Sequence, residues 1–82
     1  MKSLVVKRSV VVSGRNTSIT LEDAFWRALR EIAKSQRFNI SEMISAIDSA
    51  RTHGNLSSAI RIFVLDHYRA SSNRLGGRLA RP

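Results

Sequence analysis

The side chains with chemistry to offer are few, and most of them point away from catalysis. There is no cysteine nucleophile, and the only two histidines, His53 and His67, stand too far apart in sequence to form a metal-ligand motif. No H-E-x-x-H and no glycine-rich phosphate loop occurs. The adjacent carboxylates Glu22 and Asp23 sit where a helix begins, and acids there complement the helix dipole. An enzyme is therefore not expected, nor a cofactor or a metal. What stands out is an alternating run, Asn16-Thr17-Ser18-Ile19-Thr20-Leu21. In an extended chain Asn16, Ser18 and Thr20 share one face, uncharged and rich in donors and acceptors, while Thr17, Ile19 and Leu21 share the other. Such a polar face can read base edges in a duplex groove.

The elements that must hold this run follow from the hydrophobic periodicity. Phe25, Ala28, Leu29, Ile32 and Ala33 recur at helical spacing, with Trp26 at the edge of the stripe, and Ser35-Gln36-Arg37 ends the pattern. Thr20-x-x-Asp23 approximates a capping box for this first helix. Asn39 with Glu42 three residues on is a second start signal, followed by Ile40, Met43, Ile44 and Ile47 and a stop at Gly54. A third helix is expected from Asn55 to about Arg69. Ile60 and Phe63 lie on its main apolar face, but Ile62, Leu65 and Tyr68 lie off it, so burial against a second copy is expected.

The chain has 82 residues, one small domain with a thin core and no disulfide to staple it, so self-association is the expected further source of stability. The net charge is +8 and lies at the ends. Lys2, Lys7, Arg8 and Arg15 precede the first acid, and Arg69, Arg74, Arg78 and Arg81 follow the last, while bases and acids balance between. Basic ends around a neutral body suit a polyanion gripped by arms. The apolar runs Leu4–Val6 and Val10–Val12 are short and split by Lys7-Arg8-Ser9, so neither a membrane span nor a signal peptide is expected. Residues 1–14 read as a basic extended arm or an extra strand, with Val10–Val12 able to fold back across a Ser13–Asn16 turn. Residues 15–69 form the domain, and 70–82 read as a disordered basic tail.

The resulting fold class is mostly α with one short N-terminal strand. A lone strand needs a partner, and two copies pairing their strands antiparallel would form a ribbon able to enter the major groove. Residues Asn39 to Ser41, at a helix N-terminus, would clamp a phosphate. Lys7, Arg8 and Arg15 would add salt-sensitive attraction. Ile19, Leu21, Phe25, Trp26, Ile44, Ile60 and Phe63 are the expected dimer core.

Thr17 to Trp26 followed by Ala28 to Ala33 resembles the ribbon-helix-helix DNA-binding family. Lys7-Arg8-Ser9-Val10 and the segment Asn55 to Arg61 (Asn-Leu-Ser-Ser-Ala-Ile-Arg) are similar to those of a bacterial subfamily of small proteins within it. The resemblance spans roughly residues 7–69. It implies a homodimer with an intersubunit antiparallel ribbon and an added third helix, with base-reading positions at Asn16, Ser18 and Thr20 and a phosphate-clamping helix start at Asn39 to Ser41. It differs from the family pattern in having neutral readers, Glu22 in place of the usual proline, and a second helix opening at Asn55-Leu56-Ser57-Ser58 that also fits the clamp. The implied function is that of a cytoplasmic, nucleoid-associated transcriptional regulator, more readily a repressor. The alternatives are a dimeric protein-interaction module of the same fold and an antitoxin-type autoregulator.

Overall fold

The computed structural model describes residues 3–51 and 54–79, with side chains through residue 71. Two strands, β1 (Val5–Val12) and β2 (Arg15–Glu22), are followed by three helices, α1 (Asp23–Ser35), α2 (Ile40–Ala50) and α3 (Leu56–Leu79). The strands pair antiparallel in one unbroken register from Val5↔Glu22 to Val12↔Arg15.

The ribbon is therefore present, but its second strand comes from the same chain and not from a second subunit. The turn explains why. Ser13 and Gly14 take φ of 52° and 82°, positive at both central residues, the pattern of a type I′ turn. That turn's twist matches the twist of the strands it joins, so a two-residue loop closes the hairpin without splaying it. Of the two readings open for residues 1–14, arm or extra strand, the strand is what forms from Val5 onward; residues 1 and 2 lie outside the described residues.

One face of the ribbon packs on the helices. Val12, Ile19 and Leu21 are buried with Leu29, Ile32, Ala33, Met43, Ile44, Ile47, Ile60 and Val64 in a single apolar cluster. Leu29, Ile44 and Ile60 are fully inaccessible. Ile19, Leu21, Ile44 and Ile60, expected in a dimer core, are thus enclosed by their own chain, while Phe25, Trp26 and Phe63 pack against the cluster and stay partly exposed.

The helix starts are satisfied in three ways. α2 has the expected reciprocal box: Asn39 Oδ1 accepts from the Glu42 N–H at 2.8 Å, and Glu42 Oε1 accepts from the Asn39 N–H at 2.9 Å. Asn55 Oδ1 accepts from the Ser58 N–H at 2.8 Å at the start of α3. The expected Thr20–Asp23 box at α1 does not form, because Thr20 is still in β2 and Glu22 is the N-cap residue, without a side-chain cap. The orphan donors of α1 are met from across the ribbon instead: the Asp23 N–H donates to the Leu4 carbonyl at 2.7 Å and the Ala24 N–H to Ser3 Oγ at 2.8 Å. α3 runs to Leu79, through most of the segment that composition assigns to a disordered tail. Extending an existing helix adds one hydrogen bond per residue fixed, without a new nucleation cost.

Candidate nucleic-acid interface

Closing a two-residue loop makes Val12↔Arg15 the hydrogen-bonded pair beside the turn. Alternation then puts Val11↔Asn16, Ser9↔Ser18 and Lys7↔Thr20 at non-hydrogen-bonded positions, where cross-strand side chains approach most closely. All six of these side chains are exposed and lie on the face turned away from the helices. Asn16, Ser18 and Thr20 therefore share one outward surface, as their alternation requires. Lys7, expected in a phosphate-binding arm, stands on that surface opposite Thr20. Ser9 and Val11, which sequence reasoning missed, stand there too, and exposed Val5 opposite Glu22 extends the face. The signal was weak, since Val10–Val12 is apolar in both phases and hides its alternation.

The same geometry sends the backbone carbonyls of these six residues to the two free edges of the ribbon. The helix starts meet them there. The Ser41 hydroxyl, in the first turn of α2, donates to the Val11 carbonyl on the β1 edge. The Ser57 hydroxyl, in the first turn of α3, donates to the Thr20 carbonyl at 2.8 Å on the β2 edge. The Ser13 N–H at the turn donates to Ser45 Oγ of α2 at 2.9 Å. These bonds fix the ribbon's attitude on the helices and close parts of both edges to further strand pairing. Both helix openings thus lie against the ribbon, at opposite edges.

Each remaining site residue has a definite place. Arg15 is exposed beside the turn. Asn39 spends its side-chain oxygen on the α2 cap, and Ser41 spends its hydroxyl on Val11. Arg8 faces the helices: its Nη2 donates to Asp23 Oδ1 at 2.8 Å and its guanidinium lies 4.5 Å from the Trp26 ring centre. Asp23 also pairs with Arg27 at 3.0 Å. Arg8 Nη1 is buried without a hydrogen-bond partner, and the indole face is the favourable contact left to the cation. Arg8 is thus tied down inside the domain while Lys7 and Arg15 remain open to solvent.

At the far end of the ribbon, Arg61 of α3 grips Glu22 through two nitrogens, at 2.8 and 3.3 Å. This hydrogen bonding holds the Glu22 carboxyl below its ordinary value of 4.5. A fork on a carboxylate also neutralises the acid at the end of β2. No local sequence pattern joins residues that far apart in the chain, so this pair had no signal.

Among the described residues no group of three His, Cys, Asp or Glu side chains is placed to hold a metal ion. His67 lies on α3, and His53 lies outside the described residues. No helix among the described residues is long and apolar enough to cross a membrane.

The ribbon-helix-helix domain family matches residues 5–68, from the first residue of β1 well into α3. No curated protein and no solved structure gives a match. Domains of this family generally bind DNA as transcription regulators and are typically non-enzymatic. With its ribbon, its helix order and the family match covering most of its length, this chain belongs to the ribbon-helix-helix domain family.

Proposed function

We propose that the protein is a sequence-specific DNA-binding transcriptional regulator that lays the outer face of its ribbon in the major groove and represses by occupying its site. The observation that carries this reading is the ribbon's outward surface, mostly polar, exposed and braced at its two edges by helix starts, in a family of DNA-binding domains. A two-stranded ribbon fits the major groove, whose base edges present a distinct pattern for every base pair. Lys7 on that surface and Arg15 beside it, with the arginines from Arg69 onward, supply the sequence-independent attraction. The protein would work in the cytoplasm, on the nucleoid.

Two copies acting together are part of this proposal. Ile62 and Leu65 on α3 are 58% and 51% exposed. Ile62 lines a hollow with Ile47, Ala50, Ala59 and Phe63, rimmed by Arg51 and Asp66. A second copy seated there would bury Ile62. The same patch supports a second reading, in which the domain is a protein-interaction module and the patch receives a different protein.

Fluorescence anisotropy with a mixed-sequence duplex at two salt concentrations separates these readings. Three neutralised phosphates per chain give a log–log slope of about −2.7, or roughly a 40-fold loss of affinity for a fourfold rise in salt. Absence of duplex binding at low salt would overturn the regulator and leave the interaction module.

A further inference from the structure

We infer that β1 supplies half of the base-reading surface, so that Lys7, Ser9 and Val11 read DNA together with Asn16, Ser18 and Thr20 and one chain carries a complete reading ribbon. This rests on the regulator reading above, and it assigns to that site three residues and an order of contacts.

The register makes the assignment specific. Val11 stands opposite Asn16, Ser9 opposite Ser18 and Lys7 opposite Thr20, all exposed on the same face. Each pair occupies a position where cross-strand Cβ atoms lie about 4.5–5.5 Å apart, close enough for both side chains to meet one base pair. The three pairs differ in chemistry. Val11 with Asn16 joins an apolar group, which suits the thymine methyl, to a side-chain amide, which can bond adenine N6 and N7. That pair fits an A·T base pair. Lys7 with Thr20 offers a cation for guanine O6 and N7 beside a hydroxyl that can serve either base, which fits a G·C base pair. Ser9 with Ser18, between them, is tolerant. Along β1 the two outer pairs are separated by four residues, about 14 Å at strand spacing, which matches about four base pairs at 3.4 Å each.

The surroundings support a reading role for Lys7 over a purely electrostatic one. Among the described residues it is the only cation on the ribbon's outer face: Arg8, its neighbour in sequence, is turned to Asp23 and Trp26, and Glu22 is taken by Arg61. A single positive group on a neutral surface carries positional information that a cluster would blur.

Selection of bound duplexes from a random pool, for the wild type and for Lys7→Gln, Val11→Ser and Asn16→Ala, tests this. All three side chains are exposed, and far-ultraviolet circular dichroism checks that each variant keeps the fold. Expected is a wild-type site with an A·T preference and a G·C preference about four base pairs apart. Lys7→Gln should erase the G·C preference, with a loss of roughly 5- to 150-fold on the selected site and much less on sites lacking that base pair. Val11→Ser and Asn16→Ala should relax the A·T position alone. If Lys7→Gln weakens every duplex by the same factor, Lys7 is a phosphate contact and the inference fails while the regulator reading stands. If preference resides in Asn16, Ser18 and Thr20 alone, the inference likewise fails. If the wild type binds no duplex, both fail together.

Discussion

Replacing Gly14 by Ala tests whether the ribbon is closed within one chain, because the two possibilities predict opposite signs. Gly14 has φ of 82°, and a Cβ built there meets nothing within 4 Å. Steric contact therefore adds nothing, and the whole penalty is that of placing an L-residue in left-handed backbone, about 1–2 kcal/mol. An 82-residue domain has a total stability of roughly 4–12 kcal/mol. A loss of this size is a substantial share of it, lowering the melting temperature by about 4–8 °C per kcal/mol. Were residues 13–16 an extended linker leading to an intersubunit strand, Gly→Ala would instead stabilise by about 0.4–1 kcal/mol through the unfolded chain. Urea denaturation followed by Trp26 fluorescence measures the difference directly. Gly14→Asn should fall between the wild type and Gly14→Ala, since asparagine visits left-handed backbone readily. Ser13→Asn, at φ 52°, should stabilise by creating the Asn-Gly pair that type I′ turns favour. A Gly14→Ala midpoint equal to or above the wild type would refute the hairpin.

Other outcomes follow from the core and the caps. Ile60→Ala empties a fully buried position beneath α1 and α2 and should cost about 2–5 kcal/mol, read as a lower urea midpoint at unchanged slope. Asn39→Ala should cost about 1 kcal/mol through loss of the α2 cap, while Asn39→Asp keeps the stability. If the start of α2 also holds a phosphate, Asn39→Asp should weaken duplex binding, and unchanged binding would remove that helix from the interface. Glu22 has its folded pKa lowered by Arg61, so its stabilising contribution is present above the ordinary carboxylate pKa and is lost as pH falls through the lowered folded value. Glu22→Gln should flatten this acid limb of stability against pH. An unchanged limb would mean that the pair does not couple to folding.

Features decided within a few residues were legible in the sequence. The Asn39–Glu42 box, the end of α1 near Ser35 and the shared face of Asn16, Ser18 and Thr20 all follow from local spacing. What was not legible depends on which distant group comes near. β2 could take its partner from its own chain or from another, and Ser13-Gly14 is a weaker turn signal than Asn-Gly, so the alternation alone did not decide. Arg8 reads as part of a basic arm until Asp23 and Trp26 are seen beneath it. Ser3 and Leu4, just before β1, satisfy α1 from across the ribbon, which no helix-start pattern contains. The apolar residues expected at a dimer interface illustrate the general difficulty. Burial of Ile19 or Ile60 is written in their chemistry, but not whether the neighbouring side chain belongs to the same copy. Since Ile19 lies in the chain's own core, Ile19→Asp should unfold the domain instead of yielding a folded monomer.

The most direct test of the ribbon's role is photo-cross-linking from its outer face. A benzophenone side chain placed at Ser18, and separately at Ser9 on the paired strand, is irradiated with a bound duplex and the adducts are mapped by nucleotide. Adducts from both positions on neighbouring bases within one major-groove segment, with none from the same probe at Ile62 on α3, are expected. Adducts from position 62 with none from positions 9 and 18 would contradict the account and move the DNA to another face of the domain.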